Sequence, residues 1–306
     1  MIPANSIARA LVHIGDRWSL LIVGTSFRGV RRFDEWHKGI GIASNILASR
    51  LNRLVSNGCF EKLPAADGNR FIYRLTDMGR ELFPTALMFW RFDRLWSRKH
   101  PLQPALIHTP CRHTMTPSIV CAHCRAPVVA RDVRYEDGPG AGVDRLPPPK
   151  SSRRSNITLG EGTVIDSLFG ESVDVFGDRW TQLVLASFFL GDRRYEEIRA
   201  RWHIATNVLA DRLHLLVDAG MLQRRIYQTN PERSEYLLTP KGMDIFPIVL
   251  TLMKWGDRWL TPKGARPLIL THTRCGAELD PIVVCDCCGD ELHTHEVTYL
   301  AKDLKP

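Results

Sequence analysis

No stretch of this 306-residue chain is apolar for long enough to cross a bilayer, which takes about 20 consecutive apolar residues. The opening segment, MIPANSIARALVHIGDRW, has no basic cluster, no continuous apolar core and no small-residue cleavage site. It therefore predicts a protein that stays in the cytoplasm. Catalytic signatures are missing too: there is no phosphate loop, no Gly-x-Ser-x-Gly elbow and no His-Glu-x-x-His helix. A Cys-x-x-Cys oxidoreductase would need a thioredoxin-like βαβ setting, and the chain has none. With no evident nucleophile and no open metal site, the expectation is a protein that is not an enzyme.

The charge that is present is unbalanced. Forty-one Lys and Arg face 33 Asp and Glu, a formal net charge of +8, which favours an acidic partner and nucleic acid first. Eight cysteines in a chain without an export signal predict thiols or metal ligands, not disulfides.

The chain is built twice. IGDRWSLLIVGTSFRGVRRFDEW from Ile14 aligns with FGDRWTQLVLASFFLGDRRYEEI from Phe176 at an offset of 162. GIASNILASRLNRLVSNG from Gly41 keeps that offset with HIATNVLADRLHLLVDAG from His203, and YRLTDMG from Tyr73 matches YLLTPKG from Tyr236 one residue later. Between the copies, YEDGPGAGVDRLPPPKSSRRSN is rich in Gly, Pro, Ser and charge, with little to bury, and reads as a solvated tether.

Within copy one, Trp18, Leu21, Ile22 and Thr25 recur at helical spacing and predict a helix over 17–27. RRFDEWHKGI predicts a short helix ended by Gly39 and Gly41. Leu47, Leu51, Leu54 and Val55 then make one apolar stripe, with Asn45, Ser49, Asn52, Arg53 and Ser56 opposite, Ser44 as N-cap and Gly58 as the stop. CFEKL and RFIYRL predict two strands joined through Asp67-Gly68, and a long helix is expected from Thr76 to about Arg98. Helix, helix, short helix, helix, two-stranded wing, helix is the order of a winged helix-turn-helix, whose second motif helix enters the major groove.

The motifs GDRWSLLIVGTSFRGVRRFDEW, GIASNILASRLNRL and YRLTDMGRELFPTALMF, with their second copies, resemble the HxlR family of bacterial winged-helix regulators. That resemblance implies a DNA-binding transcription regulator, commonly a homodimer of single units. This chain departs from it in carrying two units and two Cys/His tails. It also places Asn45 and Asn207, and Asn52 and His214, where the family is often basic. Asn can read adenine through its amide. Ser44, Asn45, Ser49, Asn52, Arg53 and Arg70 are the expected DNA contacts of copy one. Those of copy two are Thr206, Asn207, Asp211, Arg212, His214, Arg224, Arg225 and Arg233. Copy one is expected to carry more base specificity, and copy two, with three arginines in its wing, more backbone contact. For Arg50 and Arg212 a structural ion pair competes equally with DNA contact.

After each winged unit comes His-x2-Cys-x9-Cys-x2-Cys: His108, Cys111, Cys121 and Cys124, then His272, Cys275, Cys285 and Cys288. The nine intervening residues are expected to fold back as a hairpin, closing one tetrahedral site in each copy. Sulfur and imidazole suit zinc, two ions per chain, in closed structural sites. Iron, or a thiol switch at Cys121 and Cys124, are the alternatives. Cys287, His293 and His295 have no counterparts in copy one and stay unassigned, while Cys59, matched by Met221, reads as packing.

The expectation is thus a mainly α chain with small β wings (α+β). Winged helix-turn-helix units span 1–100 and 159–263, with zinc-ribbon-like tails at 101–134 and 264–306 and a linker at 135–158. Its expected partner is a pseudo-palindromic double-stranded operator, with a small hydrophobic effector beside the long helices, where core packing is the rival reading. The units are expected to pair as an intramolecular pseudo-dimer or across a homodimer, with no membrane involved. A redox-responsive regulator and a zinc-ribbon protein adaptor are the other functional readings.

Overall fold

The computed structural model describes residues 1–65, 70–97, 104–147 and 172–300. Copy one opens with β1 (Ile2–Pro3), α1 (Ser6–Ile14), α2 (Arg17–Ser26), α3 (Phe33–Gly39) and α4 (Ser44–Ser56). The wing, β2 (Phe60–Pro64) and β3 (Phe71–Leu75), leads to one-turn α5 (Asp77–Arg80) and to α6 (Phe83–Trp96). Its tail holds β4 (Leu106–His108), β5 (His113–Met115), β6 (Pro117–Cys121), β7 (Val133–Asp137) and β8 (Val143–Asp144). Copy two repeats the order with α7 (Ser172–Phe176), α8 (Arg179–Phe189), α9 (Tyr195–Trp202), α10 (Thr206–Asp218), β9 (Leu222–Thr229), β10 (Glu232–Leu238), α11 (Pro240–Met243) and α12 (Phe246–Trp259). Its tail holds β11 (Leu268–His272), β12 (Pro281–Cys285) and β13 (Val297–Tyr299). The Asp67-Gly68 turn lies outside the described residues.

The repeated motifs each have a local cause. In RRFDEW and RRYEEI, Glu35 accepts the backbone N–H groups of Arg31 and Arg32 at 2.9 Å, and Glu197 those of Arg193 and Arg194, fixing the start of α3 and α9. In LTDMG and LTPKG, Thr76 and Thr239 cap the next turn through the N–H of Gly79 and Gly242. A Cβ on those glycines would stand 2.1 Å from the Cys59 carbonyl oxygen and 2.2 Å from that of Met221. Only glycine lets this turn lie against the wing.

Three expectations are corrected. The single helix from Thr76 is two, α5 and α6, because Pro84 lies in the first turn of α6 and has no N–H to continue an earlier one. Ser44 is not the N-cap; Ala43 holds that position without a side-chain bond. The tether is ordered at its start: β7 pairs with β11, and β8 with β1. Backbone pairing there needs no apolar side chain, so composition did not signal it. Residues 148–158 of the expected linker lie outside the described residues.

The two copies pack on each other within the chain. Helix α1 lies along α12, where a Cβ on Gly256 would come 2.3 Å from the Ser6 carbonyl oxygen, and α7 packs against α2 and α6. Each long helix sends a carboxylate across: Asp257 accepts from Ser6 Oγ at 2.5 Å, and Asp93, 1% exposed, accepts from Ser172 N and Oγ at 2.8 and 2.6 Å. One continuous apolar core runs through both units.

Gly242→Ala is expected to destabilise the chain by about 1–3 kcal/mol, the usual cost of forcing a methyl into packed backbone. Urea unfolding of the variant beside wild type measures it; no loss would mean that the turn can retreat from the wing.

Candidate DNA interface and metal centres

On α4, Ser44, Asn45, Ser49 and Asn52 are exposed, and on α10 so are Thr206, Asn207, Asp211 and His214. The two helices flank one cleft of 510 Å³, between Asn45, Ile46, Ser49 and Arg50 on one side and Arg212 and Leu215 on the other. The arginines behave differently. Arg50 Nε donates to Asp16 at 2.9 Å, Arg53 to Asp16 and to Ser19 Oγ, and Arg212 to Asp178 at 2.5 Å. Arg53, expected to stand free on the outer face, is tied back to α2 by this ion pair, and for Arg50 and Arg212 the contacts present are those of the ion-pair reading.

The wings are corrected as well. Arg224 pairs with Glu232 at 2.8 Å, and Arg225 with Glu235 at 2.5 Å, while Arg233 and Arg70 are exposed. Over the whole hairpins, Arg224, Arg225 and Arg233 face Glu232 and Glu235, whereas Lys62, Arg70 and Arg74 face Glu61 and Asp67. Both wings carry the same net charge, so the second is not the more basic.

Asp16 and Asp178 explain GDRW, and sequence inspection gave them no role. Each N-caps its helix, accepting from Ser19 N at 3.2 Å or Thr181 N at 3.0 Å, and each holds the recognition-helix arginine. The preceding glycines let the copies cross: a Cβ on Gly15 would meet Arg179 Cγ at 2.8 Å, and one on Gly177 would meet Arg17 Cβ at 2.6 Å. Their signal was identity between the copies at a residue with no apolar periodicity to serve.

The Cys/His residues do form two groups of four, but not the expected ones. His108 and Cys111 meet Cys285 and Cys288, while Cys121 and Cys124 meet His272 and Cys275. The expected hairpin within each copy is not formed. β5 and β6 are extended, with only Thr116 between them, and eight steps of about 3.3 Å carry Cys121 up to about 26 Å from His113. β6 pairs instead with β12 in a symmetric register, Cys121 opposite Pro281 and Pro117 opposite Cys285. β4 likewise pairs with β13, and β11 with β7.

His108, Cys121, His272 and Cys285 each end a strand, and each strand is followed by the same knuckle. Arg112, Arg125, Gly276 and Gly289 take φ of 62, 60, 73 and 78° and donate to the carbonyl four residues back. Copy two gives this left-handed position to glycine and copy one to arginine, which bears the strain.

Within each group all ligand atoms lie within 4.8 Å of one another. Cys111 Sγ is 3.9 Å from Cys285 Sγ, and His108 Nδ1 is 3.3 Å from Cys288 Sγ. His272 Nδ1 is 3.4 and 3.5 Å from Cys124 and Cys275. Zinc bonds of about 2.3 Å to sulfur and about 2.0 Å to nitrogen imply tetrahedral edges of about 3.8 Å S–S and about 3.5 Å N–S. The donor sets fit. Imidazole Nδ1 faces the sulfurs in both, while the far Nε2 of His108 makes no hydrogen bond, its nearest carboxylate, Glu296, standing 4.0 Å away.

The thiols cannot all ionise unaided. The backbone N–H of His113 draws Cys111 down to about 6. At Cys288 the backbone N–H of Asp290 acts the same way, but burial and the neighbouring Cys285 and Cys111 win and push it up to about 12. A cation held between these sulfurs would offset the crowding that raises Cys288. Cys59, wholly buried and pushed up to about 12 by that burial, is a packing residue.

Burial alone would raise the Asp16 carboxyl, but Arg53 and Arg50 outweigh it and hold it below the usual range. A depressed carboxyl contributes stability above its unfolded value of about 3.9, lost as pH falls through the lower folded value. Asp16→Asn should therefore be less stable than wild type at pH 7, with the gap closing below about pH 4. Thermal unfolding between pH 3 and 7 checks this; a gap independent of pH would deny the ion pairs a role.

A family model described as HxlR-like helix-turn-helix matches residues 13–100 and 175–264. Over 129 residues the chain is 38% identical to the uncharacterized HTH-type transcriptional regulators Rv3095 of Mycobacterium tuberculosis and Mb3122 of Mycobacterium bovis, 42% of this chain and 82% of each relative. YvaP of Bacillus subtilis, an uncharacterized regulator of the same type, is 34% identical over 31% of this chain and 88% of its own length. The family and these relatives are transcriptional regulators, not enzymes. Among the described residues no helix is long and apolar enough to cross a membrane. Matched once in each half, this chain belongs to the HxlR-like helix-turn-helix family, as a tandem of two winged units.

Proposed function

We propose that the chain regulates transcription by binding one double-stranded operator as an intramolecular pseudo-dimer, with zinc in each of the two metal centres. The observation that carries it is the pair of exposed polar rows, Asn45, Ser49 and Asn52 on α4 and Asn207, Asp211 and His214 on α10, on two helices that flank one cleft, which Asn45 and Ser49 line from α4 and Arg212 and Leu215 from α10. Two related helices on one body match a pseudo-palindromic site, each helix entering the major groove and each wing reaching the backbone. Arg50, Arg53 and Arg212 hold the reading helices in position, and Arg70 and Arg233 are left for phosphates. A small hydrophobic effector releases the operator in this reading.

Zinc in these centres would close each with two ligands from either copy and add no redox chemistry. The chain's own part is to bring four strand ends together. Elemental analysis of purified protein tests both the metal and the grouping. Wild type should hold two zinc ions per chain. Cys111→Ser with Cys285→Ser should leave one, whereas Cys111→Ser with Cys121→Ser should remove both. Centres confined to single copies would reverse the two variants. Metal-free protein whose thiols oxidise reversibly would instead favour the thiol-switch reading.

Asn45→Ala is expected to weaken binding to a selected operator about 5- to 150-fold, the range for one lost bidentate base contact. Fluorescence anisotropy with that operator and with unrelated duplex DNA measures the change. If specific binding survives Asn45→Ala and is abolished by Asn207→Ala, the assignment of base reading to copy one fails.

A further inference from the structure

The duplication creates one crevice twice, and the two differ in size and in the charge around them. In copy one it lies where the end of α2, the wing base and α6 meet the tail of copy two. Phe27 and Phe83 meet there as tilted rings with centroids 5.2 Å apart, matched in copy two by Phe189 and Phe246 at 5.0 Å. The crevices then diverge. In copy one Trp90 is fully buried, donating to the Pro104 carbonyl at 3.1 Å, and Arg28 covers Tyr299 at 4.7 Å. What remains open is 230 Å³, with four arginine or threonine side chains around it: Arg31, Arg74, Arg80 and Thr294.

In copy two the matching residues are smaller or uncharged. Met253 replaces Trp90, and Leu190 replaces Arg28. Tyr135, the counterpart of Tyr299, turns to the Leu190 carbonyl at 2.6 Å and is 45% exposed. The result is a cavity of 480 Å³, within the range of small-molecule sites. Phe188, Phe189, Phe246, Leu250, Met253 and Leu270 line it, and Tyr135 and Tyr236 border it. Among the described residues its only charged liners are Arg131 and Arg193, and none of them lines it with a carboxylate.

We infer that this cavity binds a planar aromatic carboxylate, its ring among the phenylalanines and its anion at Arg193. Aromatic walls favour a ring over a flexible chain. The charge of Arg193 reaches Glu197, which lies outside the lining, but no carboxylate among the liners competes for it, so it selects an anion over a neutral isostere. The occupant would touch the wing base, α8 and α12 of copy two together with Ile7 and β7 of copy one. It thereby gains a differential hold on the packing of the copies. Its role as the effector rests on the operator reading above; its occupancy does not.

Isothermal titration of the full metal-loaded chain, without DNA, uses 1-naphthoate and the neutral 1-naphthalenemethanol. One naphthoate per chain should bind, at least tenfold tighter than the alcohol. Arg193→Gln should erase that preference while leaving the alcohol's affinity unchanged. Met253→Trp, which restores the copy-one filler, should abolish binding with zinc content and melting profile retained. Should that variant fail to fold, Leu270→Trp, an uncharged filler at another lining residue, replaces it with the same expectation. Two equivalent sites per chain, no preference for the anion, wild-type binding by the filled variant, or no binding at millimolar ligand would each overturn the inference. Operator titration then separates the two readings. Occupied protein that keeps full operator affinity removes the effector role alone, and protein that binds no DNA with the cavity empty removes the operator reading alone.

Discussion

The antiparallel pairing of β6 with β12 is the constraint on which the rest of the molecule depends. Its register is symmetric, with Ile119 opposite Val283 at the centre and a ligand cysteine closing each end. Once these strands lie side by side, Cys121 and Cys285 stand at opposite ends of a ribbon. Each is grouped there with the His-x2-Cys knuckle nearest to it, which belongs to the other copy. The same exchange draws β4 to β13 and β7 to β11, so the tails are ordered only as a joined pair.

That exchange ties the winged units through two separate layers. One is helical, with α1 along α12 and the buried carboxylates Asp93 and Asp257 reaching across. The other is the β and metal layer of the tails. A charged group as buried as Asp93 is tolerated because Ser172 supplies two hydrogen bonds to it, and both vanish if the copies part. The GDRW segments make a third crossing, where glycine is required so that an arginine of the other copy can pass. Each of these contacts joins groups from different copies, so the pairing of the units is written into their packing.

Duplication also frees one copy from the duties of the other. Both recognition helices keep the Arg-to-Asp anchor, Arg50 to Asp16 and Arg212 to Asp178, because it orients the helix. Their exposed faces differ, and so do the crevices behind them. Trp90 fills in copy one the volume that Met253 leaves in copy two, and the chain gains a cavity without losing its core.

Much of the fold was legible in the residues. The helical stripes of α2 and α4, the wing strands and the 162- to 164-residue repeat follow from periodicity and self-similarity, which are local properties. The break between α5 and α6 was also written there, in Pro84, but the apolar pattern runs across it and hides it. The eight residues of the two Cys/His groups were identifiable from spacing, as were the exposed rows of α4 and α10. What sequence alone determined was therefore which elements form and which side chains carry the chemistry. Which copy each ligand serves, whether Arg53 and Arg212 face DNA or Asp16 and Asp178, and where a cavity survives were decided by tertiary structure. Those outcomes depend on contacts between residues far apart in the chain, such as His108 and Cys288, 180 positions apart, and no local pattern encodes the choice between two near-identical partners.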